Sequence, residues 1–399
     1  MRILLSNVGS TSLKYRLLEM DGEETLALGR IERVGSEHGS LSHQARGKPA
    51  VTRELPVPDY TAAVQLAIAM LCDPEVGALE SLESVAAVGF KVVHGGPVSG
   101  SVLLDDPVLQ ALADYAAIAP AHNPAYIQAI RIFQRLLPGT PLVGVFETSF
   151  HRTLPEEAFL YSVPYEWYEQ YGVRRYGFHG ASHRYVAERT AAILGRPIAD
   201  LRIITCHLGG SSSLCAVKGG RSIDTSMGFS LQAGVPMTNR HGDIDAWIVP
   251  YMVEKAGMTL DQVKEALGKR SGLLGLSGLS GDVRDLEEAA VAGHKRAALA
   301  LSVFAYEVKK YIGAYAAALG GLDALAFAGG IGERGVAMRR RICDDMKFLG
   351  IALDPALDGV RGEEAIISPA GAGVSILVVP TNEEIVVARE TAKVIGGIV

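Results

Sequence analysis

Two short segments half a chain apart carry nearly the same pattern, and this repeat constrains the fold more than any other feature of the 399 residues. Residues 2–20 predict an apolar strand, a turn of small residues and a second strand, and residues 203–218 predict the same sequence of elements. Gly9-Ser-Thr-Ser-Leu13 aligns with Gly210-Ser-Ser-Ser-Leu214 at an offset of 201 residues. A duplicated domain would explain two such hairpins.

The small residues of these turns suit an anionic ligand. Glycine lets the backbone approach a ligand, while N–H groups and hydroxyls converge on a phosphate. One such turn is common as a plain hairpin connector, but two that face one cleft would hold opposite ends of a polyphosphate. A third Gly-rich segment, 328–333, follows an apolar strand and precedes a helix-like stretch, an arrangement that binds nucleotides in many folds. It is neither a P-loop nor a GxGxxG motif.

Composition excludes several classes of function. Hydrophobic residues make up 48% of the chain and the formal net charge is −6 without a basic stripe, so a folded enzyme fits better than a protein that binds nucleic acid or membranes. The four cysteines form no CxxC pair, which favours a reducing, cytoplasmic location. The N-terminus lacks the apolar region of a signal peptide. Residues 311–332 are apolar but interrupted by glycines, and residues 295–319 predict a core or dimer helix.

With these motifs in place, the sequence resembles the acetate kinase family, within the superfamily of sugar kinases, heat-shock chaperone ATPases and actin. The landmarks are NVGSTSLKY (7–15), VVHGG (92–96), APAHNPA (119–125), YGVRRYGFHGASH (171–183), ITCHLGG (204–210), DTSMGF (224–229), SGDVRDLEEA (280–289), GGIGE (329–333) and PTNEE (380–384). The resemblance implies an α/β fold of two duplicated ribonuclease H-like (actin-like ATPase) domains around a central active-site cleft. The N-terminal domain would comprise residues 1–150 plus 384–399, and a nucleotide-binding and dimerisation domain would comprise 151–383.

The resemblance also implies a reaction, the reversible transfer of the ATP γ-phosphate to a short-chain carboxylate, acetate in the first place, giving acyl phosphate and ADP. It implies Mg²⁺ or Mn²⁺ as cofactor, ATP and ADP as co-substrates, and a homodimer. A carboxylate attacks a phosphoryl group with little need for a general base, so catalysis depends on alignment and on neutralising charge. We therefore expect cations and hydrogen-bond donors to outnumber nucleophiles at the site.

Site residues follow from the resemblance by position. Catalytic roles fall to Lys91, Glu147, His179 and Arg240. Phosphate and nucleotide contacts fall to Asn7, Ser10, Ser12, Lys14, His207, Gly209, Gly210, Asp282, Val283, Arg284, Gly330, Ile331, Gly332 and Glu333. The acid would contact Lys91, Val93, Ala121, His122, Phe178 and Leu231. The metal would be held by Asn7 and Glu383, with Glu384 as the alternative to Glu383.

Several of these positions depart from the family pattern. Lys91 replaces an arginine and loses its bidentate fork, and Glu147 replaces an aspartate and is one methylene longer. Each of these two side chains is expected to be fitted to the length of the other. Gly210 replaces an asparagine of the second phosphate loop, so a phosphate there would be held by backbone N–H groups. Arg334 replaces the asparagine that usually follows GGIGE.

The acid pocket departs as well, and three alternatives to an ordinary acetate kinase stay open. Ala121 replaces leucine, Leu231 replaces proline, and His241 adds a polar group, which would suit propionate, butyrate or a substituted acid. The changes at Gly210 and Arg334 would suit another phosphoryl donor, such as pyrophosphate or GTP. Finally, the changes at catalytic positions would suit a non-catalytic sensor of nucleotide or acyl phosphate.

Overall fold

The computed structural model describes residues 1–9, 11–116, 118 and 122–397, which form two compact units. Unit 1 comprises residues 1–149 and 382–399, and unit 2 comprises residues 150–381. Unit 1 is therefore discontinuous in the chain, because its last segment follows the whole of unit 2.

Both units combine strands with helices. The strands are β1 (Arg2–Val8), β2 (Ser12–Glu19), β3 (Glu24–Glu32), β4 (Ser36–Ala45), β5 (Val51–Val57), β6 (Val85–Val92), β7 (Ser101–Leu103), β8 (Leu142–Phe146), β9 (Arg202–Leu208), β10 (Ser212–Lys218), β11 (Arg221–Thr225), β12 (Ala324–Ala328), β13 (Ala365–Ile366) and β14 (Ser375–Val378). The helices are α1 (Tyr60–Leu71), α2 (Asp106–Asp114), α3 (Asn123–Leu136), α4 (Glu156–Phe159), α5 (Tyr165–Tyr171), α6 (Gly180–Leu194), α7 (Ile248–Ala256), α8 (Leu260–Lys269), α9 (Gly272–Ser277), α10 (Val283–Val291), α11 (Lys295–Leu319), α12 (Gly329–Arg334), α13 (Val336–Cys343) and α14 (Glu383–Gly396).

Unit 1 is built on an eight-stranded sheet with the order β5-β4-β3-β2-β1-β6-β8-β7. Strands β1 to β5 form an antiparallel meander, whereas β1, β6 and β8 run parallel. The parallel strands are almost fully buried and apolar, as expected of strands with neighbours on both sides and helices on the faces.

Unit 2 is built on a six-stranded sheet with the order β11-β10-β9-β12-β14-β13. Its strands β9, β10 and β11 are antiparallel, and β9, β12 and β14 are parallel. The five-strand arrangement β3-β2-β1-β6-β8 of unit 1 therefore recurs as β11-β10-β9-β12-β14 in unit 2. The predicted α/β class with two related sheets is confirmed.

Helix α11 supplies much of the core of unit 2. Leu301, Phe304, Val308 and Ile312 on its inner face are fully buried against the sheet. Leu299 on the same helix is 55% exposed and does not belong to this buried face. The segment 311–332 contains the end of α11, a turn and β12, and within the described residues no helix is long and apolar enough to span a bilayer.

The third glycine segment differs from its prediction as a loop. Residues Gly329–Arg334 form the short helix α12 immediately after β12. The carboxylate of Glu333 accepts a hydrogen bond from the N–H of Gly329 at 2.9 Å, which closes this turn of helix on itself. A local side-chain hydrogen bond thus stabilises helical backbone where the glycine content alone predicted an open turn.

Candidate active site

The candidate site in unit 1 lies where two parallel strands end. Lys91 is the penultimate residue of β6, and Glu147 directly follows β8. The strands pair with Lys91 opposite Val145, and the N–H of Glu147 donates to the carbonyl of Val92 at 2.8 Å. Because parallel strands end at the same edge of a sheet, this register brings two residues 56 positions apart into contact. Lys91 Nζ lies 2.7 Å from Glu147 Oε1.

Helix α14 brings Glu383 to the same lysine. Its packing on β6 depends on Gly89, where a Cβ would lie only 2.5 Å from Thr391 Oγ1. Glu383 is the first residue of α14, a position where the helix dipole favours a negative charge. Its Oε2 atom lies 2.6 Å from Lys91 Nζ.

The lysine is thus held between two carboxylates. Burial lowers the pKa of Lys91, but the negative charges of Glu147 and Glu383 more than offset this effect, so its pKa lies well above the ordinary value. Lys91 is a cation throughout the physiological range. The side chains of Lys91, Glu147 and Glu383 are 22%, 6% and 18% exposed, so solvent screens their charges only partly.

The residues present fit a hard divalent cation. Within the described residues, Glu147 Oε2 is buried and has no hydrogen-bond partner, so one carboxylate oxygen is available to a further cation or donor. Beside the lysine a cavity of about 30 Å³ is lined by Asn7, Lys91 and Glu383. Carboxylate and amide oxygens are the donors that Mg²⁺ prefers, and this ion takes one or two protein oxygens and completes its shell with water and phosphate. Among the described residues, no three His, Cys, Asp or Glu side chains are grouped as a metal site.

A cavity of about 640 Å³ lies in unit 2, and its size suits a nucleotide. Seven predicted nucleotide residues line it, together with Thr238, Gly281, Glu287, Arg334, Gly335 and Arg361. The seven are Gly209, Gly210, Asp282, Val283, Arg284, Gly330 and Ile331. Arg284 and Asp282 form an ion pair of 2.6 Å at its rim.

Glycine brings two backbone segments together at the floor of this cavity. Gly329 has a φ of +73°, and a Cβ there would lie 2.6 Å from the carbonyl oxygen of Leu208. Only glycine allows the start of α12 to approach the end of β9 so closely. Gly330 lines the cavity and no atom lies within 4 Å of the position its Cβ would take, so the cavity has open space at this point.

His179 is fixed by a cluster of histidines and hydroxyls. Its backbone has a φ of +56°, a left-handed conformation that is uncommon outside glycine and concentrates at functional sites. Its ring stacks on that of His207 with centroids 4.2 Å apart. Ser213 Oγ lies 2.8 Å from His179 Nδ1 and 2.7 Å from Nε2 of His183, so one hydroxyl links two imidazoles. Burial lowers the pKa of His183 well below its usual range, which keeps that ring neutral.

Arg240 is a half-buried cation without a carboxylate. Its Nη1 atom donates to Ser211 Oγ at 3.2 Å and to the carbonyl of Leu231 at 3.3 Å, and among the described residues no carboxylate lies within ion-pair distance. Burial lowers the pKa of its guanidinium below the usual value, although an arginine stays charged at neutral pH. A partly desolvated guanidinium with neutral partners is suited to bind an anionic ligand.

Other predicted residues lie away from these groups. Gly332 is buried and Glu333 bonds to Gly329 and Thr381, so neither lines the large cavity of unit 2. His241 lines a separate cavity of about 440 Å³ with Asp243, Arg270 and Glu307, so its predicted contact with the acid is not supported.

The remaining predicted positions divide between the two units. In unit 1, Val93 is buried, His122 precedes α3 and Ser12 begins β2. Lys14 and Glu384 line the small cavity, and Glu384 pairs with Arg16. In unit 2, Phe178 is fully buried. Ser10 and Ala121 lie outside the described residues.

Sequence reasoning missed Ser213 and Arg361. Ser213 is one of three consecutive serines, and nothing in the sequence distinguishes it from its neighbours. Arg361 lies in an irregular segment between α13 and β13, far in sequence from any of the landmarks.

Comparison with known proteins decides the family. The sequence model of the acetokinase family matches residues 2–389. The chain belongs to the acetokinase family. This confirms the prediction made from the motifs.

Relatives in this family match over their whole length. The chain is 50% identical over 400 aligned residues to an acetate kinase of Caldanaerobacter subterraneus subsp. tengcongensis, and the match covers 100% of each chain. Among solved structures, the acetate kinase of Porphyromonas gingivalis matches with a TM-score of 0.91 at 40% identity, covering 99% of each chain. A propionate kinase of Francisella tularensis subsp. tularensis matches with a TM-score of 0.89 at 34% identity, covering 98% of each.

Proposed function

We propose that this member of the acetokinase family is an acetate kinase, which transfers the γ-phosphate of ATP to acetate and forms acetyl phosphate and ADP. The enzyme class, a phosphotransferase with a carboxylate acceptor, follows from the family and agrees with the prediction from the sequence. The observation that carries the proposal is the cavity of about 640 Å³ in unit 2, which seven of the residues predicted to bind the nucleotide line together.

Arg240 and His179 would act on the transferring phosphoryl group. The reaction moves a phosphoryl group between two anions, so its transition state gains from donors and cations that are already in place. Arg240 has no carboxylate to neutralise it among the described residues, and its fork can bind two oxygens at once. Ser213 Oγ lies 2.8 Å from His179 Nδ1, so this hydroxyl helps to orient the imidazole that we assign to the phosphoryl oxygens.

No residue is needed to remove a proton from the acid, because a carboxylate is already ionised at neutral pH. The chain's task is to hold the acid in line with the phosphate. Leu231, beside Arg240, and the buried Phe178 are the residues of unit 2 that we assign to the acid's apolar end. Val93 and His122 are the described residues of unit 1 to which we give the same role.

We assign Mg²⁺ to Glu383 and Asn7, with Glu384 as the alternative carboxylate. A bound Mg²⁺ supplies charge neutralisation at the phosphate oxygens. Glu383 lines the small cavity of unit 1 together with Asn7 and Glu384, and Arg16 pairs with Glu384 at 2.5 Å. Both carboxylates have a cationic neighbour, Arg16 for Glu384 and Lys91 for Glu383, so the preference for Glu383 rests on its position in the family motif.

We further propose a homodimer. Trp247, Tyr251 and Tyr306 of unit 2 are 78%, 61% and 61% exposed, and large exposed aromatic side chains are typical of protein interfaces. All four cysteines are free thiols, which supports the proposed cytoplasmic location because such a compartment keeps thiols reduced.

The decisive experiment is an activity matrix of acids and donors. Purified protein is assayed with acetate, propionate and butyrate against ATP, GTP and pyrophosphate, and acyl phosphate is trapped with hydroxylamine. We expect the highest kcat/KM with acetate and ATP. Tight ATP binding without product from any acid would contradict the proposal and support a non-catalytic sensor, and turnover with pyrophosphate but not ATP would assign another donor.

A second candidate is a kinase of a larger acid. The carbonyl of Leu231 accepts a hydrogen bond from Arg240, so this residue, where the family has proline, lies next to the arginine that we assign to the phosphoryl group. The propionate kinase at 34% identity shows that a chain of very similar fold carries that name. A kcat/KM for propionate above that for acetate would favour this candidate.

A further inference from the structure

Lys91 in unit 1 lies between two carboxylates, those of Glu147 and Glu383. Its Nζ atom lies 2.7 Å from Glu147 Oε1 and 2.6 Å from Glu383 Oε2. These are charge-assisted distances, and both carboxylates are mostly shielded from solvent. A single ammonium therefore holds the two acidic groups together.

The ammonium compensates these carboxylates only in part. Two carboxylates carry two negative charges, whereas lysine supplies one positive charge. Within the described residues, Glu147 Oε2 is buried and has no hydrogen-bond partner, and an unsatisfied buried acceptor is costly. This oxygen, and the carboxylate of Glu383 that shares the ammonium, can therefore attract a divalent ion, although Lys14 and Arg16 also line the adjacent cavity.

The adjacent cavity has room for an ion and little more. Its volume is about 30 Å³, which holds one or two water-sized occupants. Asn7, Lys91 and Glu383 all line it, and Asn7 Oδ1 accepts a hydrogen bond of 3.4 Å from Tyr126. An ion entering there would be next to Lys91 and would compete with its ammonium for Glu383.

We infer that Lys91 is a built-in counter-ion that holds Glu147 and Glu383 until a divalent ion arrives. This inference rests on the proposed assignment of Mg²⁺ to Glu383. When Glu383 binds a divalent ion, the Lys91 ammonium is released from this carboxylate. The nucleotide-free protein therefore binds free divalent ions weakly.

The test measures binding of Mn²⁺ alone to full-length, nucleotide-free protein, by the electron paramagnetic resonance signal of free Mn²⁺. Lys91→Met removes the charge and keeps most of the side-chain volume, so it should bind Mn²⁺ at least about tenfold more tightly than wild type. Lys91→Arg keeps the charge and should bind within about threefold of wild type.

Lys14→Met is the matched control. Lys14 lines the same cavity and carries the same charge, but it is exposed, and among the described residues no carboxylate lies within ion-pair distance of it. Its loss should change Mn²⁺ affinity about threefold at most. Equal affinities of Lys91→Met and wild type, or equal gains from Lys91→Met and Lys14→Met, would overturn the inference.

A measurement on the wild-type protein covers the case in which Lys91→Met does not fold. In protein labelled with ¹⁵N-lysine, saturating Mg²⁺ and ADP should shift the Lys91 Nζ resonance towards that of a solvated lysine, and an unchanged resonance would contradict the release. Neither experiment depends on turnover. If no acid yields acyl phosphate, the proposed function is wrong. The binding of Mn²⁺ and the Lys91 resonance still test the inference about Lys91, because neither measurement needs turnover.

Discussion

The two glycine hairpins, one in each unit, align in sequence but differ in how their strands pair. In the first hairpin Val8 pairs with Leu13, so four residues lie between the paired positions, although Ser12 already belongs to β2. In the second hairpin Leu208 pairs with Ser212, so only three residues lie between the paired positions. Leu214, which aligns with Leu13, consequently lies two residues beyond the first paired residue of β10. Strand order was retained in the two units while the pairing register across the turn changed.

The chemistry around the two hairpins differs even more. Near the first, Lys91, Glu147 and Glu383 form a group of paired charges. Around the second, the polar groups are neutral hydroxyls, glycine backbone and imidazoles, and His183 is kept neutral by burial. The group in unit 1 is therefore suited to bind cations. The glycine backbone around the second hairpin is suited to bind an anionic ligand. Arg240 is an exception, a cation that donates a hydrogen bond to Ser211 of the second turn.

The largest expected effect concerns this exception. Arg240→Ala should lower kcat/KM by about a thousandfold or more, because it removes the cation that we assign to the transferring phosphoryl group. Steady-state assays with varied ATP and acetate measure the loss. Arg240→Lys, which keeps the charge without the fork, should recover part of it. Thermal stability should not fall, since a half-buried cation without a carboxylate partner costs folding energy. A variant that is active but unstable would make Arg240 a structural residue.

The paired charges of unit 1 give the second prediction. Lys91→Arg and Glu147→Asp should each fail to raise kcat and should lower it by up to about a hundredfold, because each displaces its partner by about 1 Å. The double variant should recover much of the loss, since one side chain is lengthened as the other is shortened. Kinetic constants of the four proteins form a double-mutant cycle. A large gain from either single change would mean that the pair is not fitted.

The neutral histidines of unit 2 give the third prediction, which concerns stability. Burial lowers the pKa of His151 to about 4, whereas an unfolded histidine has a pKa near 6.5. The unfolded state therefore binds more protons between these values, and His151 alone removes about 1.4 kcal/mol of stability for each pH unit below 6.5. Urea unfolding at pH 7.0, 6.0 and 5.0 measures the slope.

The matching variants are His151→Gln and His38→Gln. His151→Gln should reduce the slope between about pH 6.5 and 5 by roughly 1 kcal/mol per unit, although it also lowers stability at neutral pH. His38 is exposed on β4 of unit 1, and its replacement should leave the slope unchanged. Parallel slopes for wild type and His151→Gln would contradict a neutral His151.

The smallest expected effect concerns the second turn. A Cβ at Gly210 would have Thr238 Cγ2 as its nearest neighbour, at 3.8 Å, so an asparagine fits without strain. Gly210→Asn adds an amide donor at the edge of the cavity and should lower the KM for ATP about three- to tenfold with little change in kcat. Gly210→Ala adds the Cβ without the amide and should leave the KM unchanged. The same gain from alanine would exclude a hydrogen bond as its cause.

The sequence predicted the regular elements well because their patterns are local. The hairpin strands, α11 and β12 follow from apolar periodicity and glycine boundaries. The registers did not follow, since turn length depends on backbone hydrogen bonds that aligned residues do not reveal. For the same reason α12 was predicted as a loop.

The sequence could not predict those parts of the site that depend on contacts between residues distant in the chain. Motifs placed Lys91 and Glu147 among the candidate residues, but the second carboxylate on the lysine, Glu383, lies 292 positions further along the chain. Its approach depends on Gly89 and Thr391, a packing contact that no motif contains. Ser213, the link between His179 and His183, is likewise visible only in three dimensions.

The discontinuity of unit 1 has a consequence for the order of events during protein synthesis. All of unit 2 is translated before α14, which carries Glu383 and packs on β6. A nascent chain can therefore complete unit 2 while unit 1 still lacks its last helix and Lys91 its second carboxylate. Such a chain would expose a nucleotide cavity before it possesses the group that we assign to the metal. Completion of the group that we assign to the metal therefore waits for a helix that follows the whole of unit 2 in the chain.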